Sequence, residues 1–437
     1  MLQRFIQNSA GAVAPMFAIA AIPLIGAIGA AIDYSRAATV RTQLLAAADA
    51  ASLGSVRKSS AAMTAAATMS SDGPIAAGAT EATKLFNAEI TNQKGFTLNS
   101  ITATVNKTGT SIASTVNFSA QVPMSFMGLF GFSSVTIGGT STAANNQPLF
   151  IDFYLLLDNT PSMGVGATTA DITKMVNNTA DQCAFACHDL SDPNNYYNLA
   201  KTLGVTTRID VLRTATQQLM DTATATAAYS NQFRMAIYTF GASAQKTGLT
   251  KIQSLTSSLS TAKTSASAID LMTVPYQNYA DDTDTDFPDV LKDMKDEIPK
   301  PGDGTTSSKP LKYLFFVSDG VGDRVNGSPG CGRPVTNGSD PQTGKNYVRC
   351  QEPLDPSWCD QIKNNGTKIA VLYTTYLPLP TNAWYNSWIS PFADQIATNM
   401  QSCASPGLYF EVGPNQGISD AMNALFQKAV AMARLTK

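Results

Sequence analysis

The stretch Leu149-Phe150-Ile151-Asp152-Phe153-Tyr154-Leu155-Leu156-Leu157-Asp158-Asn159-Thr160-Pro161-Ser162-Met163-Gly164 decides the fold. Its first nine residues are apolar apart from Asp152, and such a run, bounded by turn residues, reads as a strand buried on both faces. Asp158, Thr160 and Ser162 then alternate through a turn. A carboxylate and two hydroxyls thus stand where a central strand ends, the edge at which open α/β sheets bind ligands. These are hard oxygen donors, suited to Mg²⁺ or Mn²⁺ and not to zinc or copper. A plain Asx-type turn uses the same residue types, so the chain downstream has to decide between the two.

Downstream, Tyr313-Leu314-Phe315-Phe316-Val317-Ser318-Asp319-Gly320 reads as a second buried strand with an acidic end. Between the two lies Asp281-Asp282-Thr283-Asp284-Thr285-Asp286, followed by a helical stretch over 287–298. The three segments resemble the metal-binding loops of von Willebrand factor A domains. Asp158-Asn159-Thr160-Pro161-Ser162 is similar to their Asp-x-Ser/Thr-x-Ser loop, and Ser318-Asp319-Gly320 to their Thr-Asp-Gly strand end, with Ser for Thr. The family places a ligating Thr before a helix. Thr285 fits, because Leu291 then falls at an apolar helix position of the family; Thr283 is the alternative. The resemblance implies a metal set of Asp158, Thr160, Ser162, Thr285 and Asp319. The three hydroxyls would ligate directly and the carboxylates would act through water. It further implies a binding role, not catalysis, with one coordination position open to an acidic side chain of a partner.

The surrounding sequence alternates between periods. Helical spacing marks 208–227, 392–401 and 418–434, and strands are read at 233–240, 368–376 and 408–412. The expected fold is α/β: a Rossmann-like A domain over 148–437, with a mainly parallel sheet and a Cys-containing insertion at 321–355.

The N-terminal end has a different character. No charged residue occurs over 5–32. The apolar part, 10–32, would span ~34 Å as a helix, enough for a ~30 Å hydrocarbon core. A retained transmembrane helix is expected; Gly29-Ala30-Ala31 also resembles a cleavage site, so a secreted, released form is the alternative. Flanking Arg4, Arg36 and Arg41 leave orientation open under the positive-inside rule. Gly11-Ala12-Val13-Ala14-Pro15-Met16-Phe17-Ala18, the exit Asp33-Tyr34-Ser35-Arg36 and the Ala48-Asp49-Ala50-Ala51 helix resemble the N-terminal module of TadE/TadG-like proteins of Flp (tight adherence) pilus assembly. That resemblance implies residues 1–55 as one module, a single-pass anchor in a bacterial cell membrane, and the bulk of the chain in the periplasm or at the cell surface. It implies pilus-assembly proteins or a surface protein ligand as partners.

Residues 56–147 form a strand-rich middle region. Period-two alternation over 98–105 and 114–120 predicts two strands about the turn Lys107-Thr108-Gly109-Thr110. The apolar patch 126–132 is read as core in preference to a surface meeting a partner or the membrane.

All six cysteines lie within 148–437, an even count that suits an oxidising compartment. By position Cys359 pairs with Cys403, Cys331 with Cys350 and Cys183 with Cys187, out of 15 possible pairings. Cys183-Ala184-Phe185-Ala186-Cys187-His188 has one spacer residue too many for haem attachment, and His188 is the sole histidine, which disfavours zinc and a Ser-His-Asp hydrolase. The acidic run lacks the Gly and terminal Glu of an EF-hand, and no Walker-type phosphate loop occurs. With 14% charged residues and a net charge of −2 there is no basic surface for nucleic acid.

Overall fold

The computed structural model describes residues 13–437 apart from 185–187, 190, 230, 277–278, 280–283, 326–330, 377, 381, 414–416 and 436–437. It divides into two compact units, Met1–Gln147 and Pro148–Lys437.

The first unit is built on one long helix, α1 (Val13–Ser55). Its two halves differ in what covers them. In the second half, Ala37, Val40, Leu44, Ala47, Ala48 and Ala51 recur every three or four residues and are buried. They pack on Ala82 and Phe86 of α2 (Ala76–Ile90) and on Val116, Phe118, Ala120 and Val122 of a sheet strand. That sheet is antiparallel, with β1 (Thr97–Thr108), β2 (Ser111–Pro123) and β3 (Ser134–Asn146) in chain order. Asp49 of α1 accepts a hydrogen bond from Ser141 Oγ at 2.5 Å, and Ser55 Oγ donates to Ser114 Oγ at 2.8 Å, so a polar seam fixes the helix on the sheet. In the first half, Met16, Phe17, Ile19, Ile22, Leu24, Ile25 and Ile28 stay exposed. The segment Pro15–Ser55 includes a helix long and apolar enough to cross a membrane. The Ala-rich helix and the middle region, separate segments in the sequence reading, therefore form one unit. The two expected strands are present, while α2 and β3 are additions that the sequence pattern does not signal. The patch 126–132 is not core: its large side chains are exposed.

The second unit is mixed α/β. Its central strands are β4 (Ile151–Leu157), β5 (Phe233–Ser243), β7 (Leu311–Ser318), β11 (Lys368–Thr374) and β12 (Tyr409–Val412). They lie side by side in the order β12-β11-β7-β4-β5, all parallel, and β6 (Lys246–Thr256) pairs antiparallel with β5. Two-sided burial explains the unbroken apolar runs. Ile151, Phe153, Leu155 and Leu157 face α3 (Arg208–Thr226) and α7 (Ile418–Leu435). Tyr154 and Leu156 face α4 (Phe287–Glu297), α5 (Pro356–Asn364) and α6 (Ala393–Cys403). Asp152, the one charge in β4, is buried between Arg234, at 2.6 Å from Nε, and Lys312.

From β4 the chain moves to β5 on one side; from β7 it moves to β11 on the other. The order reverses between β4 and β7, so their carboxyl ends border the crevice of a topological switch point. The stretch after β7 folds as a three-stranded antiparallel sheet of β8 (Val321–Val325), β10 (Asn346–Pro353) and β9 (Pro334–Ser339), with β10 in the middle. Cys331 and Cys350 are bonded within it, and Cys359–Cys403 joins α5 to α6. Cys187, the expected partner of Cys183, lies outside the described residues.

Candidate metal centre at the switch point

Asp158 follows β4 directly, and its backbone N–H continues the ladder to Val317 O at 2.9 Å. Its side chain is fully buried. Oδ1 accepts from Thr160 N at 3.0 Å and Thr160 Oγ1 at 2.7 Å; Oδ2 accepts from Ser318 Oγ at 2.6 Å. Thr160 Oγ1 and Ser162 Oγ lie 3.2 Å apart. The loop is thus an Asx-type turn that points two hydroxyls the same way, with the carboxylate behind them. Asn159 turns away from that cluster. Its amide bonds Gly241 O, Asp270 O and Phe240 N and ties the loop to the end of β5.

Asp319, at the end of β7, is also fully buried. Its Oδ1 accepts from Val321 N at 3.3 Å, while Oδ2 accepts no hydrogen bond. The facing cation is Arg208 at the start of α3, with Nη1 3.7 Å from Asp319 Oδ2 and Nη2 donating to Thr375 O. The backbone at Asp319 is held by Gly320, whose φ of +75° favours glycine. A Cβ there would also lie 2.8 Å from both Ile396 Cγ2 and Met400 Cγ.

Electrostatically the crevice is short of positive charge. Burial raises the pKa of Asp158 above the usual carboxylate range, against hydrogen bonds from Ser318 and Thr160. Burial, then repulsion from Asp158, pushes Asp319 up to about 7, only partly offset by Arg208 and the nearby Ser162 hydroxyl. Two carboxylates with one guanidinium favour a proton or a second cation between them.

Thr285 approaches from the third segment. It is buried, and its N–H and C=O bond Asp323 O at 3.0 Å and Asp323 N at 2.9 Å, which ties Thr285 to β8. Thr285 and Ser162 line one cavity of about 380 Å³ with Asp323, Arg349, Tyr376 and Trp384. Arg349 stacks on Trp384 at 4.5 Å and faces Asp323 at 3.5 Å. Of the sequence-derived set, Asp158, Thr160, Ser162 and Asp319 are brought together around β4 and β7, and Thr285 shares a cavity wall with Ser162. Thr283 lies outside the described residues. Among the described residues no cluster of three or more His, Cys, Asp or Glu side chains forms. The donor set here is two carboxylates and hydroxyls, the chemistry of Mg²⁺ or Mn²⁺.

Sequence reasoning missed Ser318 as the bond that orients Asp158, Arg208 as the counter-charge and the β8–β10 sheet as the cavity wall. Ser318 had a signal, since it stands beside Asp319 at the strand end. Arg208 had only its place after Thr207, whose capping box with Asp210 starts α3.

Residues 11–58 match a family model described as putative Flp pilus-assembly TadE/G-like. No curated protein matches the chain. Similar solved structures include the vWF domain of the type V pili tip protein Mfa5 from Porphyromonas gingivalis, at 10% identity and TM-score 0.38, covering 65% of this chain and 97% of that one. The PilB minor pilin from Streptococcus sanguinis is 11% identical at TM-score 0.35, covering 77% of each chain. Proximal thread matrix protein 1 of the mussel byssus, solved with a zinc-occupied MIDAS motif, is 12% identical at TM-score 0.32, covering 65% of this chain and 46% of that one.

Proposed function

We propose that the chain is a membrane-anchored component of Flp-type pilus assembly that binds a protein partner through a divalent cation. The cation, Mg²⁺ or Mn²⁺, would sit against the Thr160 and Ser162 hydroxyls with Thr285 as a third ligand. Asp158 and Asp319 would balance its charge from behind, largely through water. The observation that carries this reading is the pair of fully buried carboxylates at a switch point, served by one guanidinium at 3.7 Å. Mg²⁺ keeps several waters, so one position stays exchangeable for a carboxylate of the partner. The role proposed for the crevice is binding, in keeping with the pilus-assembly family match. The N-terminal family match supports the pilus context. The exposed apolar half of α1 supports a single-pass anchor; in the pilus context proposed here, residues 33–437 would lie outside the cytoplasm.

A second reading is a secreted adhesin freed by cleavage near Ala31. It is favoured by where α1 changes character, since cleavage there would remove the exposed half and spare the packed half from Ala37 onward.

Calorimetric titration of the detergent-solubilised chain with Mg²⁺ or Mn²⁺ tests the site. Binding by the wild type and its loss in Asp158→Ala are expected, with the fold retained. Equal binding by both would reduce the loop to a turn.

A further inference from the structure

The loop joining β2 to β3 contains a short helical turn, Met127–Phe130. It leaves Leu129 84%, Phe130 51% and Phe132 60% exposed. Residues 125–133 carry no charge, and the loop satisfies backbone groups internally: Leu129 N bonds Phe126 O, Gly131 N bonds Gly128 O and Phe132 N bonds Met127 O.

This loop lies along α1. A Cβ at Gly29 would fall 2.5 Å from Phe126 Cβ, and one at Gly26 would fall 3.3 Å from Phe130 Cζ. Two glycines of the apolar span are therefore the seats of two loop phenylalanines. Asp33, one residue beyond the span and 3% exposed, accepts N–H bonds from Ser125, Phe126 and Met127 at 3.0, 2.9 and 2.8 Å. Those bonds fix the start of the loop at the helix exit. Gly29 and Gly26 lie about 6 and about 10 Å back along the helix from Asp33. That matches the ~5–10 Å to which interfacial apolar groups enter a bilayer. The exposed faces of Ile25, Ile28 and Ile32 continue the same apolar surface, and Tyr34, 75% exposed, stands at the exit, where aromatic rings favour the interface.

We propose that the 125–133 loop inserts into the bilayer leaflet beside the N-terminal span, as a second, shallow lipid contact that holds this unit against the membrane surface. The inference rests on reading α1 as a membrane span. Lipid is the occupant because the uncharged patch is continuous with the helix surface that lipid would cover, and because the N–H groups of Ser125, Phe126, Met127, Leu129, Gly131 and Phe132 are already bonded within this unit.

A photoreactive phenylalanine analogue would be placed in place of Leu129, Ile22 or Thr108, one per full-length chain, in vesicles of phosphatidylcholine and phosphatidylglycerol. Thr108 is exposed at the opposite end of the sheet. Acyl-chain adducts at Leu129 and Ile22 about tenfold above those at Thr108 are expected for a loop at interfacial depth. Adducts at Ile22 with Leu129 at the Thr108 level would overturn loop insertion and leave the span intact. Protein adducts at Leu129 in place of lipid would overturn it in favour of a protein contact. No lipid adducts at Ile22 would remove the span itself.

Discussion

Asp319 Oδ2 is buried, accepts no hydrogen bond and faces Arg208 at 3.7 Å. Its behaviour with pH follows from that position. Burial and the Asp158 charge raise Asp319 to about 7, and burial raises Asp158 as well. Without a cation, the folded chain retains protons that the unfolded chain releases in the ordinary carboxylate range. The stability from this site is therefore full in acid and is lost as pH rises through about 7. A bound cation reverses the preference, because it requires the ionised carboxylates. Chelator-treated chain is expected to melt at a lower temperature at about pH 8 than at about pH 5, and Mg²⁺ should raise the melting temperature more at the higher pH. Thermal unfolding with and without Mg²⁺ at the two pH values checks this; an equal Mg²⁺ effect at both would mean the carboxylates do not take part.

Among the elements, what can be read from the sequence is what is local. β4 and β7 announce themselves because burial on both faces demands continuous apolar runs, and the bonds that orient the Thr160 and Ser162 hydroxyls on Asp158 Oδ1 span only five residues. The β8–β10 sheet is not legible: it is polar and rich in Gly, Pro and Asn, and its register depends on partners as distant as Val321 and Pro353. β3 is mostly Ser, Thr, Gly, Ala and Asn, with weak strand preference, and α2 has a narrow buried stripe of Gly78, Ala82 and Phe86. The 126–132 patch misleads because apolarity alone does not say what covers a surface. Positional pairing succeeds for two of the three expected bridges, Cys331–Cys350 and Cys359–Cys403, the latter because α5 and α6 sit side by side. Cys359 and Cys403 are both fully buried, 44 residues apart. Replacing both by Ala should cost about 4 kcal/mol on chain-entropy reasoning, measured as a shift of the urea midpoint. An unchanged midpoint would mean the bridge adds nothing to the helix packing.

Over the whole chain, the two compact units divide the chemistry. Met1–Gln147 holds the apolar helix and Pro148–Lys437 the crevice with the buried Asp158 and Asp319 carboxylates. The anchored reading predicts that the mature chain retains residues 10–32. Mass spectrometry of protein purified from membranes should find them, whereas an N-terminus near Ala31 would favour the released adhesin. The crevice itself is best interrogated by anomalous diffraction from crystals grown with Mn²⁺. An anomalous peak is expected at the switch point, about 2.0–2.2 Å from the Thr160 and Ser162 hydroxyl oxygens, with Asp158 and Asp319 behind it. A crevice without that peak, with Asp319 paired only to Arg208, would contradict cation-dependent binding.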